Sequence, residues 1–215
     1  MRLITRYIIL LMMYQAVSLF SQSAPDELVC IKEFIPDIVI DLKYNTVDNF
    51  LFQKMYTTDE CYLARNVVDR LIIIQDSLRN ILSHDSISYP QGLGLKIWDG
   101  YRPRSVQFLM WEILPDPTYV ANPYTGSSHN RGAAVDVTLV DLSTGAELQM
   151  PTYFDDFSEM ASHTYMNLPA NVIANRTLLK NMMTQIGGLS LYNAEWWHYS
   201  YPAATGYPLL DFQLK

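Results

Sequence analysis

The segment Ser127-Ser128-His129-Asn130-Arg131-Gly132-Ala133-Ala134-Val135-Asp136 constrains this chain more than any other, because it sets a nitrogen ligand and a carboxylate ligand on either side of a glycine turn. Its complement is Glu195-Trp196-Trp197-His198. Two imidazoles and one carboxylate suit a tetrahedral zinc with its fourth position open, and a second carboxylate beside them can act on bound water. The donors converge only if the fold lays the two segments side by side. The combination is that of a metallohydrolase.

His129 and Asp136 are seven residues apart, a spacing that one face of a helix could also present. Gly132 and the β-branched alternation from Ala134 to Val140 favour a loop followed by a strand. A turn over Asn130 to Gly132 then folds His129 back toward the start of the strand that carries Asp136. Taken singly, His129 reads as a satisfied histidine and Asp136 as a strand-end charge. Their pairing with His198, in a chain with only four histidines, changes that reading.

Glu195 and His198 are three residues apart, so a straight strand would point them to opposite faces. A loop or bulge at Glu195, leading into the strand, lets both reach one site. Direct ligation by Glu195 is the alternative, but a second anionic ligand would make bound water less acidic and would remove the one evident base. Glu195 is therefore read as the group that takes a proton from water and passes it to the leaving amine. Arg102, in the turn Gly100-Tyr101-Arg102-Pro103, is placed to stabilise an oxyanion on an attacked carbonyl. A salt bridge with Asp99 is equally consistent with the pattern, and Arg104 competes for the role. Ser127 and Ser128 precede His129, yet no Gly-x-Ser-x-Gly elbow exists, which leaves a serine mechanism a weak alternative. His84 and His163 have no ligand-spaced partner and read as structural.

A length of 215 residues fits one catalytic domain, and 49% hydrophobic with 17% charged residues excludes disorder. The net charge of -7 comes without a basic cluster, so no nucleic-acid partner is expected. Met1 to Ser23 differs from the rest: Arg2 and Arg6 precede an uncharged apolar stretch from Tyr7 to Phe20, followed by Ser21-Gln22-Ser23. That pattern reads as a secretory signal peptide over 1–23, with an uncleaved anchor as the alternative, leaving 24–215 as the catalytic domain with no membrane span after cleavage. In an oxidising compartment Cys30 and Cys61 would form a disulfide, the alternative being two buried thiols. The spacing excludes a zinc ribbon.

Alternation predicts strands over 34–42, 95–99, 134–140 and 196–201, and three- and four-residue apolar steps predict helices over 64–78, 105–114 and 178–186, the last closed by Gly187-Gly188. Their mixed order, without βαβ alternation or a phosphate loop, predicts an α+β fold with a mostly antiparallel sheet and packed helices.

The pattern Ser127-x-His129-x-x-Gly132-x-Ala134-x-Asp136 with Glu195-x-Trp197-His198 resembles the signature of the zinc D-Ala-D-Ala metallopeptidases. The chain is most similar to the VanX-type D-alanyl-D-alanine dipeptidases. The likeness runs through the mature chain: Asp41-Leu42-Lys43-Tyr44-Asn45-Thr46-Val47-Asp48-Asn49-Phe50, Trp98-Asp99-Gly100-Tyr101-Arg102-Pro103, Phe154-Asp155 and Asp211-Phe212. The resemblance implies one zinc held by His129, Asp136 and His198, with Glu195 as base and Arg102, not Arg104, stabilising the tetrahedral intermediate. It also implies Ser127 beside the substrate and Asp155 near its free amine, with Asp156 as rival, and a fold shared with D,D-carboxypeptidases and hedgehog amino-terminal domains. The implied activity is hydrolysis of D-Ala-D-Ala to two D-alanine in peptidoglycan turnover or scavenging. An exported chain resembles periplasmic members more than cytoplasmic resistance enzymes. A D,D-carboxypeptidase of wall peptides and a hedgehog-like zinc module without turnover are the alternatives, and the joint presence of Glu195 and Arg102 argues against the second.

Overall fold

The structure, a computed structural model, describes Ala24 and residues 26–214. The signal peptide expected over 1–23 lies outside the described residues.

Three short strands come first: β1 (Leu28–Cys30), β2 (Val39–Ile40) and β3 (Tyr62–Ala64). β1 and β3 pair antiparallel, with Cys30 opposite Tyr62. The strand expected over 34–42 shrinks to Val39–Ile40, because a 3-10 turn at Ile31–Glu33 takes up the preceding residues and Pro36 has no N–H to give a ladder. The expected disulfide is not formed, and Cys30 and Cys61 are free thiols. Cys30 shares a face with Tyr62, so the alternation of side chains turns the preceding residue, Cys61, to the other face. There its sulfur packs against Gly100, where an added Cβ would lie 2.6 Å away.

Helix α1 (Arg65–Arg79) buries Val67, Val68, Leu71, Ile74 and Leu78 completely. Each such side chain contributes about 1.5–3 kcal/mol on burial, against a helix-propensity cost for valine or isoleucine below about 0.7 kcal/mol, so packing decides the conformation. A small hairpin, β4 (Ser83–His84) and β5 (Ile87–Ser88), leads to the long strand β6 (Leu93–Asp99). The remaining elements are α2 (Arg104–Ile113), β7 (Ala134–Asp141), α3 (Ala170–Asn181), β8 (Ser190–Tyr192) and β9 (Glu195–Ser200). The third helix begins at Ala170 rather than near Leu178 and runs into a π turn at Met182–Ile186 before Gly187.

The main sheet has the order β2-β6-β7-β9-β8, and only the β2–β6 pair is parallel. This is the α+β architecture with a mostly antiparallel sheet. Leu95 and Ile97 of β6 stand opposite Leu139 and Val137 of β7, all fully buried, with α1 packed on β6 and α3 on β7. β2 ends short of Leu95, and the orphaned Leu95 N–H is taken by Gln75 Oε1 at 2.9 Å from α1. The alternate residues of β7 and β9, Asp136 and His198, are cross-strand partners on the opposite face. Among the described residues no helix is long and apolar enough to cross a membrane.

Candidate metal centre and active site

Why the chain turns at 129–132 follows from one residue. Gly132 closes a 3-10 turn at φ +62, where a side chain is strained, and its N–H donates to the His129 carbonyl at 3.0 Å. A Cβ there would lie 2.3 Å from Leu28 Cδ2 and 3.0 Å from the Ala64 nitrogen. The turn returns His129 to the mouth of β7, beside Asp136. Buried Asn130 ties the turn to its neighbour: its Nδ2 donates to the Arg102 carbonyl at 2.9 Å, and its Oδ1 accepts from the Ser127 N–H at 2.9 Å.

His129 Nδ1 lies 2.7 Å from the Gly100 carbonyl, which makes Nδ1 the protonated nitrogen and leaves the Nε2 lone pair facing the pocket. That Nε2 lies 3.2 Å from His198 Nδ1 and 3.4 Å from Asp136 Oδ2, and His198 Nδ1 lies 2.9 Å from Asp136 Oδ1. Among the described residues these three are the one group of metal-ligating side chains whose ligand atoms all fall within 4.8 Å of one another. Donors bound tetrahedrally at about 2.0–2.1 Å stand about 3.3 Å apart, so the observed spacings fit a small divalent cation with nitrogen and oxygen ligands. Burial raises the Asp136 carboxyl, but the charge and hydrogen bonds of His129 and His198 outweigh it and hold the group well below its ordinary range.

Glu195 reaches the same point because the β8–β9 pairing is irregular between Leu191 and Tyr192, the bend its spacing from His198 demands. Its Oε2 is 4.0 Å from His198 Nδ1, beside the triad rather than inside it. Burial pushes the Glu195 carboxyl up to about 8, with His198 acting against that. A bound cation would also lower it.

Arg102 lines the same pocket and forms the ion pair with Asp99 that its sequence context allows, so the pairing does not take it away from the site. Asp99, wholly enclosed, accepts from Arg102 Nε at 3.0 Å and from the Tyr56 hydroxyl at 2.6 Å, and its Oδ2 is 3.5 Å from His129 Nδ1. Burial works against the Arg102 charge, but Asp99 and the neighbouring acids raise its pKa above the ordinary value. Arg104 points elsewhere, donating to the Pro123 and Tyr124 carbonyls.

Asp155, not Asp156, lines the pocket. Its backbone is left-handed at φ +57, and its carboxylate accepts from the Tyr44 hydroxyl at 3.1 Å and the Phe50 N–H at 3.1 Å. Enclosure pushes the Asp155 carboxyl up to about 7, the Phe50 N–H and Arg102 opposing. Asp156 borders a different cavity and accepts from the Ser158 N–H. Ser127 also lines the pocket, with its Oγ accepting the His129 N–H at 3.2 Å. His84 bonds Asn175, and His163 lies against the Tyr199 ring with neither ring nitrogen partnered by a protein group.

Sequence reasoning missed Asp99 as a shared support, Tyr44 as a partner of Asp155, and Gln107, whose Nε2 holds the Ala121 carbonyl at 2.8 Å while its Oε1 faces Arg102. The Asp-Gly-Tyr-Arg-Pro and Lys-Tyr segments contain two of them, but the local pattern shows only the Asp99–Arg102 pairing and not the contacts to Tyr56, His129 and Asp155. The pocket encloses about 250 Å³. Two larger cavities of about 530 Å³ lie elsewhere, one beside Tyr101 and Phe212 and one beside Trp98, and neither contains the triad.

Residues 24–214 match the peptidase family M15 model described as D-Ala-D-Ala dipeptidase. The chain is 36% identical to the D-alanyl-D-alanine dipeptidase of Escherichia coli K12, over 88% of this chain and 92% of that protein. It is 30% identical to the D-alanyl-D-alanine dipeptidase of Enterococcus faecium over 78% of this chain and 87% of the relative. The Streptomyces coelicolor protein of that name is 32% identical over 79% and 89%.

Proposed function

From the premise that the chain belongs to the M15 family of D-Ala-D-Ala dipeptidases and is a metallopeptidase, we propose that it cleaves free D-Ala-D-Ala to two D-alanine with one zinc ion. The observation that carries this reading is the meeting of the His129, Asp136 and His198 donors with Glu195, Arg102 and Asp155 in one small pocket.

His129 Nε2, Asp136 and His198 Nδ1 would hold the zinc, a donor set that suits it. Zinc bound there supplies a Lewis acid that polarises the scissile carbonyl and acidifies water. Glu195 is the proton carrier: its carboxylate takes a proton from the attacking water and delivers it to the departing amine. The Arg102 guanidinium, fixed by Asp99, stabilises the negative charge that develops on the carbonyl oxygen. At the other end, Asp155 in its ionised form pairs with the substrate ammonium, and Ser127 lies beside the bound dipeptide. An N-acylated substrate brings bulk and no charge to Asp155, so it is rejected.

The 1–23 segment, read as a cleaved signal, supports an exported and periplasmic enzyme acting on dipeptide from peptidoglycan turnover. The decisive experiment measures D-alanine release by the zinc-loaded protein from D-Ala-D-Ala and from N-acetyl-D-Ala-D-Ala. Rapid cleavage of the free dipeptide alone is expected. Equal or better cleavage of the acylated substrate would replace this reading by a D,D-carboxypeptidase.

A further inference from the structure

We propose that Phe157, stacked on Tyr119 and edged by Phe50, is the residue that limits substrate length at the amino end of the pocket. The inference rests on the dipeptidase reading above and names the side chains that enforce it. Three rings from loops far apart in sequence meet at the pocket that contains Asp155. Phe157 and Tyr119 stack with centroids 4.7 Å apart and planes at 28°, and Phe50 meets Phe157 edge-on at 5.3 Å and 68°. All three line the pocket.

Their position relative to Asp155 gives the rings their meaning. Phe157 follows Asp155 by two residues, and the Phe50 N–H is itself a donor to the Asp155 carboxylate. A ligand ammonium on Asp155 would sit in the pocket that the Phe50, Tyr119 and Phe157 rings line. Any acyl or aminoacyl group attached to that nitrogen must displace them or pass between them.

The wall is also braced. The Tyr192 hydroxyl donates to the Thr118 carbonyl at 2.7 Å, and Gln107 holds the Ala121 carbonyl, so the loop carrying Tyr119 is fixed on both sides of the ring. Stacked and edge-to-face pairs add attraction beyond their buried area, so opening this wall has a definite cost. The resulting cavity, about 250 Å³, is below the roughly 300–1,000 Å³ of pockets that accept drug-sized ligands. Phe157 is outside the main core, so trimming it relaxes the wall without opening the interior.

The test uses the full zinc-loaded chain and the ratio of kcat/KM for N-acetyl-D-Ala-D-Ala to that for D-Ala-D-Ala. Phe157→Ala should raise this ratio at least tenfold, about 1.4 kcal/mol in relative transition-state binding, and Phe157→Ala/Tyr119→Ala should raise it further. Phe157→Leu, which keeps most of the volume, should change it less. Should Phe157→Ala not fold by circular dichroism, Tyr119→Ala alone carries the same expectation. An unchanged ratio in folded, fully metal-loaded variants overturns the proposal. Failure of the dipeptidase reading is distinct, because it would show in the unmodified enzyme as no preference for the free dipeptide.

Discussion

The carboxylate of Asp99 grips the guanidinium of Arg102 through a 3.0 Å bond to Nε, and the pair is almost wholly shut off from solvent. Removing one member of such a pair leaves a buried charge without compensation, at a cost of about 3–5 kcal/mol. Asp99→Asn should therefore lower the Tm by roughly 6–20 °C in a chain of this size. Adding Arg102→Met should recover part of that loss while abolishing turnover. A double variant less stable than Asp99→Asn in thermal melts would contradict this picture of the pair.

Metal content and turnover separate the roles around the triad. His129→Ala, Asp136→Ala and His198→Ala should each lower zinc stoichiometry, read by elemental mass spectrometry, together with activity. Glu195→Gln should keep its zinc and lose roughly 10²–10⁴-fold in kcat, the range associated with a positioned acid or base. Zinc loss in Glu195→Gln would identify Glu195 as a ligand instead.

With Asp155 in its proposed place at the substrate ammonium, acidity should act in opposite directions on stability and on substrate capture. The Asp155 carboxyl is raised from 3.8 to about 7 in the folded protein, so the fold binds this proton more tightly than the unfolded chain does. The resulting stabilisation is complete below about pH 4 and is lost as the pH climbs through about 7. Glu195 is raised in the same sense, so in metal-free protein Asp155→Asn should make the fall in stability over pH 4–7 shallower without abolishing it. Capture of an ammonium requires the ionised form, so kcat/KM for free D-Ala-D-Ala should drop as the pH falls below about 7. A stability profile of Asp155→Asn superimposable on that of the unmodified protein would refute this account.

Gly132 supports a stability prediction independent of chemistry. Gly132→Ala adds a side chain at φ +62 against Leu28 and the Ala64 backbone. Strain of about 1–3 kcal/mol follows, and a Tm lower by roughly 2–12 °C should accompany it. Zinc affinity should weaken too, since the same turn sets His129. Calorimetry and zinc titration of the variant provide the check.

The site was legible where its chemistry is local. His129, Gly132 and Asp136 are bound by short spacing to a turn and a strand, and the odd spacing of Glu195 and His198 announced the irregularity found between Leu191 and Tyr192. Arg102 is legible only as a choice between two roles, of which the ion pair with Asp99 is seen and the pocket position is compatible with the other. What could not be read are pairings across the chain, such as Tyr44 with Asp155 or Tyr119 with Phe157, because neither periodicity nor turn chemistry specifies which distant loop will lie alongside. Among the elements, the alternation over 34–42 outlasts the two residues that pair with β6, so the sequence pattern overstates that strand. The start of α3 was hidden because its first turns bury polar Asn175 and Arg176 alongside Val172, so no apolar stripe marks them.

Asp136 and His198 face each other across two neighbouring strands, 62 positions apart in the chain. Sliding β9 by one residue along β7 would bring Trp197 or Tyr199 opposite Asp136 and carry the imidazole to the far side of the sheet. An ion that needs both donors thus binds one strand alignment and no other. A cation held by both donors would therefore favour the observed alignment of β7 with β9 over any slipped one, making the metal a check on the fold.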